Sequence, residues 1–120
     1  MQNLRPFLGA KDFEVSKQFY QGLGFSIDYD DGDLCVMSLG EIGFYLQRYY
    51  QKDWCDNSMV HVAVDNAQAW FEKAQALIDS QSFGVAKVAE PRVEGYGACV
   101  TYLWDPTGIL WHLAQWDRGD

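Results

Sequence analysis

The chain carries the same order of elements twice, and this repetition constrains its fold more than any single motif. A run of short alternating strand patterns bounded by glycine or acidic turns is interrupted at two places by a helical pattern. The first helix is predicted from Asp12 to about Gln21. Asp12 is placed as its N-cap, Phe13, Ser16, Phe19, Tyr20 and Leu23 recur at helical spacing, and Gly22 and Gly24 end it. The second runs from about Asn66 to Asp79, with Asn66 as cap and Trp70, Phe71, Ala74, Leu77 and Ile78 on one face. Strands are predicted at Leu4 to Ala10, Phe25 to Asp30, Leu34 to Leu39 and Ile42 to Tyr49. In the second half they are predicted at Met59 to Val64, Val85 to Ala89, Ala98 to Trp104 and Ile109 to Trp116.

The two halves can be laid over each other. Arg5 through Asp12 matches Met59 through Asn66, since each is a strand entering a capped helix, and Tyr45 then matches His112 on the fourth strand. The second unit has the longer connection, around Glu90 to Gly97. The expected fold is α+β: two βαβββ units, about 3–50 and 58–117, forming curved mixed sheets around a cleft with helices outside. With 120 residues, 48% of them hydrophobic, and no low-complexity linker, all of it is expected to be one domain, 1–120.

Composition narrows the function. A net charge of −8 and only nine scattered Lys and Arg argue against a nucleic-acid partner. No apolar run suits a membrane span or a signal segment, so a cytoplasmic location is expected. Cys35, Cys55 and Cys99 are an odd set without Cys-x-x-Cys spacing and read as reduced thiols, Cys35 and Cys99 in core-like apolar runs. The acidity is compatible with a cationic ligand, although solubility alone explains it. There is no Gly-x-Ser-x-Gly, no phosphate loop and no His-Glu-x-x-His.

In its ordered motifs the chain resembles the vicinal-oxygen-chelate superfamily, which includes glyoxalase I, extradiol dioxygenases and the bleomycin-resistance proteins. The motifs are Asp12-Phe13, Phe19-Tyr20 and Leu23-Gly24-Phe25, then Val64-Asp65-Asn66-Ala67 and Asp105-Pro106-Thr107-Gly108. In metal-dependent members the resemblance implies a His on the first strand and a Glu on the fourth strand of each unit. Those positions hold Arg5, Met59, Tyr45 and His112 here. Arg5 opposes a cation, the Met59 thioether is too soft for hard divalent ions, and neutral Tyr45 is a poor ligand, so no metal or other cofactor is expected. His61, two residues after Met59, shares its face and could approach His112.

The chain is most similar to the bleomycin-resistance branch, through Asp12-Phe13, Tyr96-Gly97-Ala98 and a tryptophan, Trp54, near the junction of the units. Thr107 departs from the usual acidic residue of that loop. The resemblance implies a bacterial homodimer that sequesters a cationic aromatic drug and confers antibiotic resistance. Arg5, Phe7, Tyr45, Gln47, Tyr49, Trp54, Met59, His61, Tyr96, His112 and Trp116 are the expected ligand contacts. Trp70, Phe71 and Trp111 are read as core. The alternative is a lyase, isomerase or dioxygenase using His61 and His112, with or without a metal.

Overall fold

The computed structural model describes residues 1–116. The expected end of the second unit, at 117, lies outside the described residues. In chain order the elements are β1 (Phe7–Gly9), α1 (Phe13–Leu23), β2 (Ser26–Asp30), β3 (Leu34–Leu39), β4 (Ile42–Gln47) and α2 (Lys52–Asn57). There follow β5 (Met59–Ala63), α3 (Ala67–Ser80), β6 (Lys87–Val88), β7 (Arg92–Val93), β8 (Ala98–Trp104) and β9 (Leu110–Trp116).

Both predicted N-caps form. The Asp12 side chain accepts the Val15 N–H and that of Asn66 accepts the Ala69 N–H, each satisfying an orphan donor of the first turn. Gly24 ends α1 at φ 112°, a left-handed conformation open to glycine at little cost. The first strand is shorter than predicted. Pro6 has no N–H to offer a ladder, and only its carbonyl is used, accepting the Tyr45 N–H. Arg5 therefore lies outside β1, its guanidinium stem over Gly43. Two elements were not anticipated: the short helix α2, and β7, which turns the connection around Glu90 to Gly97 into an extra strand on β8.

The sheets repeat one topology. The first runs β1-β4-β3-β2 and the second β5-β9-β8-β6, with β7 also paired to β8. In each, the first strand of the unit pairs in parallel with the fourth and the others are antiparallel. Phe7 sits opposite Tyr45, and His61 opposite His112. Those are the positions that the superposition of the halves makes equivalent, so the duplication holds at the level of residue register.

One face of each sheet packs into a common core. Leu8, Cys35, Met37, Phe44 and Leu46 of the first sheet join Leu103, Trp111 and Leu113 of the second, together with Phe13, Phe19, Tyr20 and Leu23 of α1. Tyr20 touches Phe25, Phe44 and Trp111, all with ring centroids within 6 Å. Helix α3 is shallower than its periodicity suggests: Ala67 and Ala74 are buried, whereas Trp70, Phe71, Leu77 and Ile78 are half-buried. Cys35 and Cys55 are buried, and Cys99, near the start of β8 on the face it shares with Thr101 and Leu103, is only half-buried. Among the described residues no helix is long and apolar enough to cross a membrane.

A buried polar lock ties the units. Tyr20 donates its hydroxyl to Asp105 Oδ2 at 2.6 Å and accepts the Trp111 indole N–H at 3.0 Å. The other Asp105 oxygen takes the backbone N–H groups of Thr107, Gly108 and Ile109. Burial drives the Asp105 carboxyl above its usual range despite these donors. Replacing Tyr20 by Phe orphans Asp105 Oδ2 and the Trp111 N–H in the core. Urea denaturation of this variant is expected to show a loss of about 2–3 kcal/mol, as for buried hydrogen bonds to a charged group.

Candidate functional site

With one face of each sheet in the core, the other face is free to carry ligand contacts. On the second sheet that face is aromatic. Alternation along β5, β8 and β9 presents Met59 and His61, then Tyr102 and Trp104, then His112 and Trp116, while Leu103, Trp111 and Leu113 turn inward; Val100, on the same face as Tyr102, packs there with Ala98 and Ala114. The His61 and His112 rings are near-parallel at 6.3 Å, His61 lies 5.8 Å from Trp116, and Trp116 lies 5.5 Å from Tyr96 on the loop before β8. Tyr102 meets the His112 ring edge-on at 5.0 Å. Met59, Tyr96 and Trp116 are exposed.

A carboxylate borders this face. Glu94 Oε1 accepts the Tyr102 hydroxyl at 3.0 Å and the Arg92 Nε–H at 2.6 Å, and the Arg92 guanidinium holds the Glu94 carboxyl below its usual range. A depression of about 490 Å³ is lined by Ala89, Glu90, Arg92, Tyr102, Trp104 and Leu110. His112 Nε2 is buried and has no hydrogen-bond partner among the described residues. Burial first, and His61 second, push the His112 pKa down from 6.5.

The remaining expected contacts lie elsewhere on the chain. Phe7 and Tyr45 stack at 4.6 Å on the outer face of the first sheet, with Gln47 two residues along. They hold the positions that His61 and His112 occupy in the second unit, and among the described residues no ring contact joins the two pairs. Tyr49 and Trp54 pack on each other at 5.7 Å beside α2. Trp54 is wedged over Gly9, where an added Cβ would come within 2.6 Å of its ring. Between the sheets is a cleft of about 320 Å³, with Leu4, Pro6, Ile42 and Phe44 on one side and Val60, His61, Val62 and Trp111 on the other. Within one chain, therefore, the expected contacts form three groups: Arg5, Phe7, Tyr45 and Gln47; Tyr49 and Trp54; and Met59, His61, Tyr96, His112 and Trp116.

Four residues of the face were missed. Strand alternation alone does not decide which of Thr101 and Tyr102 faces inward; it is Thr101, which donates to the Ala89 carbonyl at 2.6 Å. Trp104, two residues on, follows Tyr102 outward. Arg92 and Glu94 were hidden because the segment around them read as a loop, and the local signal was the pattern Arg92-Val93-Glu94 ahead of Gly95.

The metal chemistry that the fold family implies needs three or more suitable donors. Among the described residues no group of three or more His, Cys, Asp or Glu could hold an ion, and His61 and His112 alone do not make such a centre. The donor set does not fit.

No family model matches the chain. It is similar to the bleomycin resistance protein of Klebsiella pneumoniae, with 23% identity over 92% of this chain and 89% of that protein. A bleomycin-binding protein solved in complex with bleomycin superposes with a TM-score of 0.81 at 21% identity, covering 98% of this chain and 100% of the other. A glyoxalase/bleomycin resistance protein/dioxygenase from Nocardioides gives 0.75 at 16% identity, covering 100% and 87%. In sequence and in fold, the chain resembles the bleomycin-resistance members of the vicinal-oxygen-chelate superfamily.

Proposed function

We propose that this chain is a homodimeric, cytoplasmic, single-domain binding protein that sequesters a cationic aromatic drug of the bleomycin kind without a metal of its own and without chemical change. The observation that carries the reading is the outer face of the second sheet, where Tyr96, Trp116, Tyr102 and two imidazoles lie beside the Glu94 carboxylate. Rings of this kind stack on planar groups and attract cations, and a negative surface draws a cation in. The similarity to proteins that bind bleomycin supports the choice of drug.

The division of the contacts supports the homodimer. Phe7 and Tyr45 stand on one sheet and the His61 group on the other, so a single chain offers two half-sites. A second copy placing its first sheet opposite the second sheet of this one would bring Arg5, Phe7, Tyr45 and Gln47 across from Met59, His61, His112 and Trp116. Tyr49 and Trp54 would flank them.

Titration with bleomycin is expected to quench tryptophan fluorescence saturably, more weakly at high salt, and to return the drug unaltered. Trp116→Ala should weaken binding about two- to tenfold, the range of a ring contact. Absence of any saturable response overturns the reading.

Elemental analysis after incubation with zinc, manganese, iron or nickel and buffer exchange tests the enzymatic alternative. Substoichiometric metal is expected. Near-stoichiometric retention that is lost in His112→Ala would replace the binding reading with a metal-dependent one.

His112 also gives a pH signature. Its folded pKa lies below 6.5, so as pH falls the unfolded chain takes up this proton first. Stability from this residue is present above 6.5 and is lost as pH falls toward the folded value. Urea melts at pH 7.5 and 5.5 should show this loss, and His112→Phe should reduce it.

A further inference from the structure

We infer that Arg92 is a built-in competitor: its guanidinium occupies the place on Glu94 and Tyr102 that the positive group of a ligand takes. The inference rests on the outer face of the second sheet being the cation-binding face proposed above, and it goes beyond that reading by naming what a ligand must displace.

The geometry is that of a bound cation. Arg92 Nε lies 2.6 Å from Glu94 Oε1, and the guanidinium carbon lies 5.7 Å from the centre of the Tyr102 ring. A carboxylate with an aromatic face beside it is the pairing that recognises an organic ammonium or guanidinium group. Here the cation comes from the chain itself. Among the described residues both hydrogen bonds to the Glu94 carboxylate end on Oε1, leaving Oε2 without one.

The asymmetry of exposure indicates which partner leaves. The Arg92 side chain is 72% exposed and that of Glu94 only 19%. Glu94 is fixed by Tyr102, which is itself held on the central strand β8, so the carboxylate stays in place. Arg92 sits on β7, a strand of two residues paired on one side only, and its stem is free to swing into water. An exposed ion pair and a surface cation–π contact each change an equilibrium by roughly two- to fivefold. Arg92 is therefore a modest barrier that a well-placed ligand cation overcomes and a poor one does not. It sets a threshold of charge and fit at the rim of the aromatic face.

The test uses benzylammonium as the cationic probe and benzyl alcohol as its neutral counterpart, titrated into the full chain by NMR and tryptophan fluorescence. Arg92→Gln is expected to bind benzylammonium about three- to tenfold more tightly than the parent chain, with benzyl alcohol unchanged. Arg92→Lys keeps the charge and is expected to stay near the parent. Adding Glu94→Gln to Arg92→Gln should abolish the gain. In the parent chain, saturation with benzylammonium should move the Arg92 Nε–H resonance toward that of a free guanidinium. Equal or weaker benzylammonium binding by Arg92→Gln, including no binding by either protein, overturns the inference. The bleomycin titration of the parent chain is read separately. Its failure sinks the drug-binding function, whereas the response of Arg92→Gln to the two small probes decides the role of Arg92.

Discussion

Asp105 is the carboxylate around which the two halves of this protein are assembled. It sits in the turn before the last strand, fully buried, and its oxygens receive three backbone N–H groups from its own turn and one hydroxyl from helix α1 of the other unit. An unpaired carboxylate there would cost several kcal/mol, so the fold is obliged to bring Tyr20 to it. Tyr20 in turn collects Phe25, Phe44 and the Trp111 indole N–H, and the aromatic core forms around that one phenol. Thr107 extends the lock by accepting the Lys11 N–H and lying 3.5 Å from the Ser16 hydroxyl, which binds the same turn to the start of α1. Because these contacts hold the inner faces together, the outer faces are left to evolve as surfaces.

The duplicated register then shows what such evolution has done. Phe7 with Tyr45 and His61 with His112 are the same pair of positions in two copies of one unit. In the first they are a stacked aromatic pair at 4.6 Å, suited to covering or being covered by another flat surface. In the second they are two imidazoles at 6.3 Å, polar enough to take a hydrogen bond and near enough to repel each other if both were charged. Burial and that repulsion both hold His112 toward the neutral form. At neutral pH this keeps its positive charge away from a face proposed to receive a cation.

Much of this was legible in the sequence, because caps and periodicity act locally. Asp12 and Asn66 announce their helices through the donors they satisfy, and the equivalence of Tyr45 with His112 follows from the order of strands. The meeting of His61 and His112 was legible for the same reason, since period-two alternation fixes a face. What escaped depended on contacts distant in the chain. Tyr20 and Asp105 could be read as family motifs, but not as partners in one hydrogen bond. Pro6 shortened β1 through a missing donor that matters only because β4 is its neighbour. Arg92 and Glu94 became part of a face only when β8 paired with their segment, and a two-residue strand has too few positions to show alternation. One chain distributes the expected aromatic contacts over two sheets, because duplication of a unit duplicates its surface.

The charge of the molecule acts differently at long and at short range, and the difference bears on selectivity. A net charge of −8 attracts any cation from a distance, but salt at physiological strength screens that pull within about 8 Å. Close to the second sheet the field is set by individual groups, and there the chain places its own cations on the rings: Arg92 by Tyr102, and Lys87 over Trp104 at 4.5 Å. A simple inorganic ion gains from the distant field and can neither stack on these rings nor displace a guanidinium from them. An organic cation with a flat body gains from the field, from Glu94 and from the ring surface together. On the proposed reading, acidity at long range with basic groups at the point of contact would act as a filter, passing ligands that bring aromatic area along with their charge.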